Sequence, residues 1–449
     1  MLLFLTIAGT LPGCAVEPAS RAPGPSALQL EGDPPVNVLM LSIDTLRRDR
    51  VGRYRQSGSL GPSDTPFLDQ LLAEGLALDD HRSCSTWTYP SIACAVTGAD
   101  IVASDFAPQR VEDVEMPELP GRFNTLAEQL YLHGYETGLL TANSFLGRFT
   151  HADRGHRISE VTGLSAAADL VEGGLAIFDE LTGEGAPRPW FLHLHFMDPH
   201  LPYTPPEAYL TGLEGLAPVD YDLSEQPGYQ EAANDWPDLD EDTRALLHAT
   251  SDVYYGGELR YLDDELRALF DALDARGALD DTLVVIWSDH GEQFWEHGDI
   301  AHGNAVYAEE NAAVAGFWSR GLAPAAWTGP TTHADLAPTV LTALGFDVPD
   351  AMDGAVVGGS DYARGPRYAL SFGSLIEHTS QAVDLGGKRL IYHWLGDLEL
   401  YDLATDPAEL DNLYAPGDPD VQALWELLKP RVERVEALTT DPQPVWPEL

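Results

Sequence analysis

Three polar clusters in this chain hold residue types that bind metals or move protons. They are Asp44-Thr45, Met197-Asp198-Pro199-His200, and Ser288-Asp289-His290-Gly291-Glu292, the last trailed by Glu296-His297-Gly298 and His302-Gly303. Carboxylates mixed with imidazole suit one divalent cation. Oxygen-only sets favour calcium or magnesium, while histidine tilts the choice towards manganese, iron or zinc. A fourth group is the hydroxyl of Thr88, two residues before Pro90. The locked φ and missing N–H of proline suit the first turn of a helix, and the small, apolar run that follows reaches Gly98, which can end it. A hydroxyl just before a helix start faces unpaired N–H groups and a dipole that favour an anion. A cation touching it would favour the alkoxide, and nearby imidazoles could hold a tetrahedral anion and protonate a leaving oxygen. Transfer or hydrolysis of a phosphate, phosphonate or sulfate ester fits this set. Singly, each group has a plainer reading, as a helix start or a surface cap. Convergence is what would separate the two.

The patterning supplies a means of convergence. The run Val36 to Ile43 is almost unbroken in apolar residues and ends at Asp44. Thr137 to Thr141, Phe191 to Met197 and Leu283 to Trp287 are similar, and all read as buried parallel strands. Helical patterns lie between them, as in Asn124 to Leu130 and Tyr261 to Phe270. The alternation implies an α/β fold with a large, mainly parallel sheet flanked by helices. Three of these strands finish in a polar cluster, and open sheets of this kind bind ligands outside the carboxyl ends of their strands.

From about residue 346 the character changes. Tyr368 to Phe372, Gln381 to Leu385 and Lys388 to Trp394 are short strand candidates, and Val421 to Val435 reads as a helix. The expected organisation is a leader with a Pro-rich linker over 1–35, a catalytic α/β domain over 36–345, and a small α+β subdomain over 346–449. Residues 201–250 form an acidic insertion, in which Asp235, Asp238, Asp240, Glu241 and Asp242 read as an acidic loop entering a helix.

The charge is extreme, with 25 basic against 72 acidic residues and a formal net charge of −47. Such a surface repels nucleic acid and anionic membranes. The apolar start Met1 to Gly9 followed by Leu11-Pro12-Gly13-Cys14 resembles a bacterial lipoprotein signal, with Cys14 as the lipidated residue, although a basic n-region is missing. Export to the periplasm or outer surface, with a lipid anchor through Cys14, is the expectation. No later run reaches the length of a membrane span. Cys84 and Cys94 remain, either paired across the segment that carries Thr88 or as two buried free thiols.

At this point the chain resembles a sulfatase of the alkaline phosphatase superfamily. Asn37 to Arg47 resembles that family's first strand and metal-binding aspartate, and Asp198-Pro199-His200-Leu201-Pro202-Tyr203 its substrate-histidine loop. Tyr255 to Asp263, Asp281 to Glu292 and His333 to Thr339 resemble further segments, and Glu399 to Leu403 with Asp406-Pro407 and Asp411 to Leu413 resembles the C-terminal subdomain. The resemblance implies the alkaline phosphatase-like sandwich. It also implies one divalent ion (calcium, manganese or zinc) on Asp44, Asp289 and His290, with Thr88 as nucleophile and bridging ligand. His200 and His302 would contact the anionic group, and one would protonate the leaving oxygen. Asp198 could join them at a second, weaker metal site. Thr45 stands where many sulfatases have a second aspartate ligand, Arg47 would orient the loop, and His297 and His333 would be structural.

Two departures shape the functional expectation. Sulfatases that make formylglycine carry Cys or Ser two residues before the proline and Arg two residues after it. This chain has Thr88 and Ile92 at those positions, and Cys84 lies four positions too early. Threonine nucleophiles are typical of phosphodiesterases, phosphonate hydrolases and phosphoethanolamine transferases of the superfamily, and the transferases usually carry several membrane spans. The expectation is therefore a metal-dependent hydrolase of small-molecule, glycan or lipid esters of phosphate, phosphonate or sulfate. A true sulfuric ester hydrolase acting without formylglycine is the alternative. A non-catalytic surface lipoprotein with the same fold is the alternative of another class.

Overall fold

The computed structural model describes residues 36–55, 62–100, 118–163, 165–183, 188–359, 365–371, 379–438 and 445–447, with positions 20, 21, 28 and 102. The leader and Cys14 lie outside the described residues.

Eight strands build the central sheet: β1 (Asn37–Ile43), β2 (Leu76–Arg82), β3 (Glu136–Thr141), β4 (Ile158–Val161), β5 (Trp190–Phe196), β6 (Thr282–Ser288), β7 (Ala315–Trp318) and β8 (Ala325–Thr332). Their order is β8-β2-β7-β6-β1-β5-β3-β4, and only β7 runs antiparallel to its neighbours. Alternating side chains bury both faces. Leu39, Leu41 and Ile43 pack with Leu192 and Leu194 under helices Ala167–Thr182 and Glu241–Asp274. Val38 and Met40 join Phe191 and Val285 on the opposite face, under helices Thr88–Thr97, Leu126–Leu132 and Leu336–Ala343. These apolar runs carry no polar alternation because neither face meets water.

The C-terminal unit is an antiparallel sheet of β9 (Arg367–Ser371), β10 (Ser380–Leu385), β11 (Lys388–His393) and β12 (Leu398–Asp402), in that order, with helix Pro419–Leu438 against it. This unit holds the second face of helix Thr88–Thr97. Ile92, Ala95 and Val96 pack into the layer on the central sheet, whereas Tyr89, Ala93 and Cys94 pack with Leu370, Leu390, Tyr392 and Trp425. The helix is buried along its whole length.

Three local details differ from the sequence expectation or resolve it. Thr88 is the first helical residue rather than its predecessor, and Trp87 is the N-cap. Pro90 still fits, because the first N–H groups of a helix have no partner inside it. The acidic stretch enters a helix at Glu241 as expected, and a further helix precedes it. Gln226–Asp235 is helical, and Asp240 accepts from the Thr243 amide to cap helix Glu241–Asp274. Finally, Cys84 and Cys94 are joined by a disulfide that brackets Thr88.

Candidate active site

The site forms at the carboxyl ends of three adjacent strands. β1 lies between β5 and β6, with Ser42 opposite His195 and Ile43 opposite Ser288. Asp44 and Asp289 are therefore the next residues out of neighbouring strands. Thr45 turns the chain at once: its φ is +54°, a left-handed conformation that a β-branched residue adopts only under constraint. The turn aims the Thr45 amide at Asp289 Oδ1, 3.1 Å away, and its carbonyl accepts from the Tyr255 hydroxyl at 2.8 Å.

Three donor atoms converge there. His290 Nε2 is 3.7 Å from Asp44 Oδ1 and 3.5 Å from Asp289 Oδ2, and Thr88 Oγ1 lies 3.4 Å from the same nitrogen. His290 Nδ1 is 2.9 Å from the Gly291 carbonyl, to which it donates, so the lone pair is on Nε2. Gly291 is required beside it, since a Cβ there would stand 1.9 Å from the Glu309 carbonyl oxygen. Asp44 Oδ1 and Asp289 Oδ2 are buried and have no hydrogen-bond partner. Burial and the neighbouring Asp44 push Asp289 well above the carboxylate range. For Asp44, burial pushes upward but the surrounding His200, His195 and His290 outweigh it, and its pKa falls. Two buried carboxylates, a neutral imidazole and a hydroxyl within reach of one point form a donor set that fits a divalent cation.

The open side is formed by two half-buried histidines, His200 and His302. Their ring centroids are 5.0 Å apart, and that of His302 is 4.4 Å from that of His290. His200 Nδ1 donates to the Leu201 carbonyl, and His302 Nδ1 is 2.7 Å from Glu292 Oε1. Both rings thus keep Nε2 as the free edge. Burial opposes protonation of His302, but Glu292 outweighs it and raises its pKa. Glu292 is itself held by the Tyr203 hydroxyl at 3.0 Å.

The sulfatase family model matches residues 36–346. The chain belongs to the sulfatase family. It is 26% identical over 442 residues to the choline-sulfatase of Rhizobium meliloti (strain 1021), covering 84% of this chain and 82% of that protein. The phosphonate monoester hydrolase of Agrobacterium radiobacter has the same fold, with TM-score 0.64 and 20% identity over 90% of this chain and 96% of that one. So does a protein solved with its substrate D-glucosamine-2-N,6-O-disulfate, with TM-score 0.68 and 16% identity over 90% of this chain and 99% of that one. Like its relatives, this sulfatase-family chain is an ester hydrolase.

The remaining residues of interest in this sulfatase-family chain fall around that centre. Asp198 lines a cavity with His200 and Glu258. Among the described residues the single close triplet of metal-type ligands is Asp44, Asp289 and His290. Arg47 binds Asp49, Glu296 and the Glu292 carbonyl, which holds the loop after Asp44. His297 stacks on Tyr307 with ring centroids 3.7 Å apart and faces Glu309. His333 lies 3.0 Å from the Ser288 carbonyl and 2.9 Å from Ser91 Oγ, and so ties helix Thr88–Thr97 to the end of β6. Ile92 points into the apolar layer on the sheet.

Several supporting residues escaped the sequence reading. His195 Nε2 is 3.3 Å from Asp44 Oδ2, and Asn143 Nδ2 donates to the same oxygen at 2.9 Å. Ser42 Oγ bridges His195 Nδ1 and His193 Nε2 at 2.8 Å each. The signal was present in the spacing of His193 and His195, which share one face of a strand. Glu310 accepts from the Gly303 and Ala305 amides at 2.7 and 3.2 Å, which fixes the loop after His302.

Proposed function

We propose that this chain hydrolyses phosphate or phosphonate esters with Thr88 as nucleophile. The observation that carries the reading is Thr88 Oγ1 lying 3.4 Å from His290 Nε2, one of the three groups of the Asp44–Asp289–His290 triplet. A divalent cation held by Asp44, Asp289 and His290 supplies the charge that favours the Thr88 alkoxide over the hydroxyl. In the first step Thr88 Oγ1 bonds to phosphorus, the ester P–O bond breaks, and the leaving oxygen takes the electron pair with a proton from His302. Glu292 holds that proton on His302 beforehand. His200 binds the transferring oxyanion. In the second step water bonds to phosphorus and loses a proton to His302, and the Thr88 oxygen leaves as the alkoxide it began as. The net change is ester plus water to alcohol plus phosphate or phosphonate.

Phosphorus suits this residue set because a phosphoryl-threonine can be hydrolysed directly. A sulfo-threonine lacks the elimination route that a formylglycine hydrate provides, and Thr88 with Ile92 gives no formylglycine. Similarity to a choline-sulfatase over 84% of the chain supports the second reading, a sulfuric ester hydrolase. A panel of aryl sulfate, phosphate monoester and diester and phosphonate, run with defined metals, separates them. The phosphorus reading expects kcat/KM higher on a phosphorus ester. A preference for sulfate of about tenfold, about 1.4 kcal/mol in transition-state binding, overturns it. Thr88→Ala is expected to lower kcat by at least about a thousandfold, and full retention removes the nucleophile assignment.

A further inference from the structure

Beside His200 lies a cavity of about 300 Å³ that the reaction chemistry does not use. Its acidic groups are two carboxyls, Asp198 and Glu258, and its other walls include Met197, Pro202, Thr204 and Tyr261. Glu258 is anchored by the Thr204 amide at 2.6 Å. Asp198 is only 9% exposed, and its Oδ2 is buried with no hydrogen-bond partner. Burial pushes Asp198 up, and burial with the Asp198 charge pushes Glu258 up to about 9. Glu258 keeps its proton and is hydrogen-bonded to Asp198, so the pair carries one buried negative charge that a cation would neutralise.

An acid pair next to a histidine that meets an anionic ester would repel the substrate unless the substrate also carries positive charge. The cation is not a bare metal ion. The cavity offers two carboxyls where calcium takes six to eight oxygens, and it is far larger than an ion. A tyrosine, a thioether and a proline around one buried negative charge match a bulky, weakly hydrated cation, whose attraction to a tyrosine ring adds to the ion pairing.

We infer that the cavity between His200 and Glu258 binds an alkylammonium group on the leaving alcohol, so that the preferred substrates are zwitterionic esters. This rests on the ester-hydrolase reading above and adds the class of leaving group. One arm of the test compares esters of a trimethylammonium alcohol with those of its neutral tert-butyl isostere, using the metal-loaded protein. The expected kcat/KM ratio is at least about tenfold in favour of the cationic ester. It should collapse towards one in Asp198→Asn, and persist in Asp198→Glu and in Glu258→Gln, which keep the charge. A wild-type ratio near one, or a ratio that Asp198→Asn retains, overturns the inference. The second arm is calorimetric binding of tetramethylammonium against tert-butanol. That arm reads out even if no ester is hydrolysed, so failure of the hydrolase reading is distinguishable from failure of this one. If Asp198→Asn does not fold, the wild-type comparison and the calorimetric arm carry the decision.

Discussion

The chemistry of this site is set by pairs of groups that disagree about charge. Asp44 and Asp289 are buried together, and the unpartnered oxygens Asp44 Oδ1 and Asp289 Oδ2 are those nearest His290 Nε2. Without a cation the two carboxylates repel, so Asp289→Asn should raise the melting temperature of chelator-treated protein. The same variant should lose the stabilisation that manganese or calcium confers on the wild type, with metal affinity down by more than about 100-fold. A variant that still gains the full metal-dependent shift in a thermal melt would remove Asp289 from the ligand set. Thr45 illustrates how residue identity and role can part. At the sequence level it occupies the place of a possible ligand, yet its amide, not its side chain, reaches Asp289.

At the scale of elements, the segment from Cys84 to Thr97 is held unusually well. Its helix is packed between two hydrophobic layers, Ser91 meets His333, and Thr86 Oγ1 donates to the Ala305 carbonyl at 2.7 Å. The disulfide closes a loop across a sequence separation of 10, for which chain entropy gives about 3 kcal/mol of stabilisation. Cys84→Ser with Cys94→Ser should therefore lower the free energy of unfolding by about 3 kcal/mol, read as a lower urea midpoint. An unchanged midpoint in non-reducing buffer would mean that the thiols do not pair in solution. The helical start at Thr88 rather than after it follows from Trp87, whose extended backbone makes it the N-cap. Nothing in Trp87-Thr88-Tyr89 signals that cap, because it has no side-chain hydrogen bond.

At the scale of the whole molecule, packing selects protonation states. His81, His193 and His333 are almost fully buried, and burial lowers the pKa of each, to about 3 for His333. The unfolded chain binds protons at these residues near pH 6.5 while the native state refuses them. Stability from these groups is complete above pH 6.5 and falls as the pH drops, by about 1.4 kcal/mol per pH unit for each. Thermal melts from pH 7 to pH 4.5 should show this decline, and His81→Leu should flatten it. A flat profile would contradict the buried neutral state. The C-terminal unit is joined to the rest by buried ion pairs: Arg82 Nε is 3.0 Å from Asp384, and Arg82 Nη2 is 3.2 Å from Glu409. That arrangement places an otherwise separate antiparallel sheet over helix Thr88–Thr97.

Much of this was legible in order along the chain. Apolar runs ending at Asp44, Met197 and Trp287 specified strands, because a strand buried on both faces must be apolar throughout. The alternation of those strands with helices specified a parallel sheet, and polar residues at the strand ends marked where a site would form. Strand order was not legible, and neither were the partners of each polar group. Those depend on which strands become neighbours across 150 residues or more, as in Ser42 beside His195, a separation of 153. For the same reason the sequence left open whether Cys84 meets Cys94 and where Asp198 points. Hydrophobic patterning is a local property read along one strand, whereas a hydrogen bond or a shared cavity needs two distant segments brought to within a few ångströms, and only the packed structure does that.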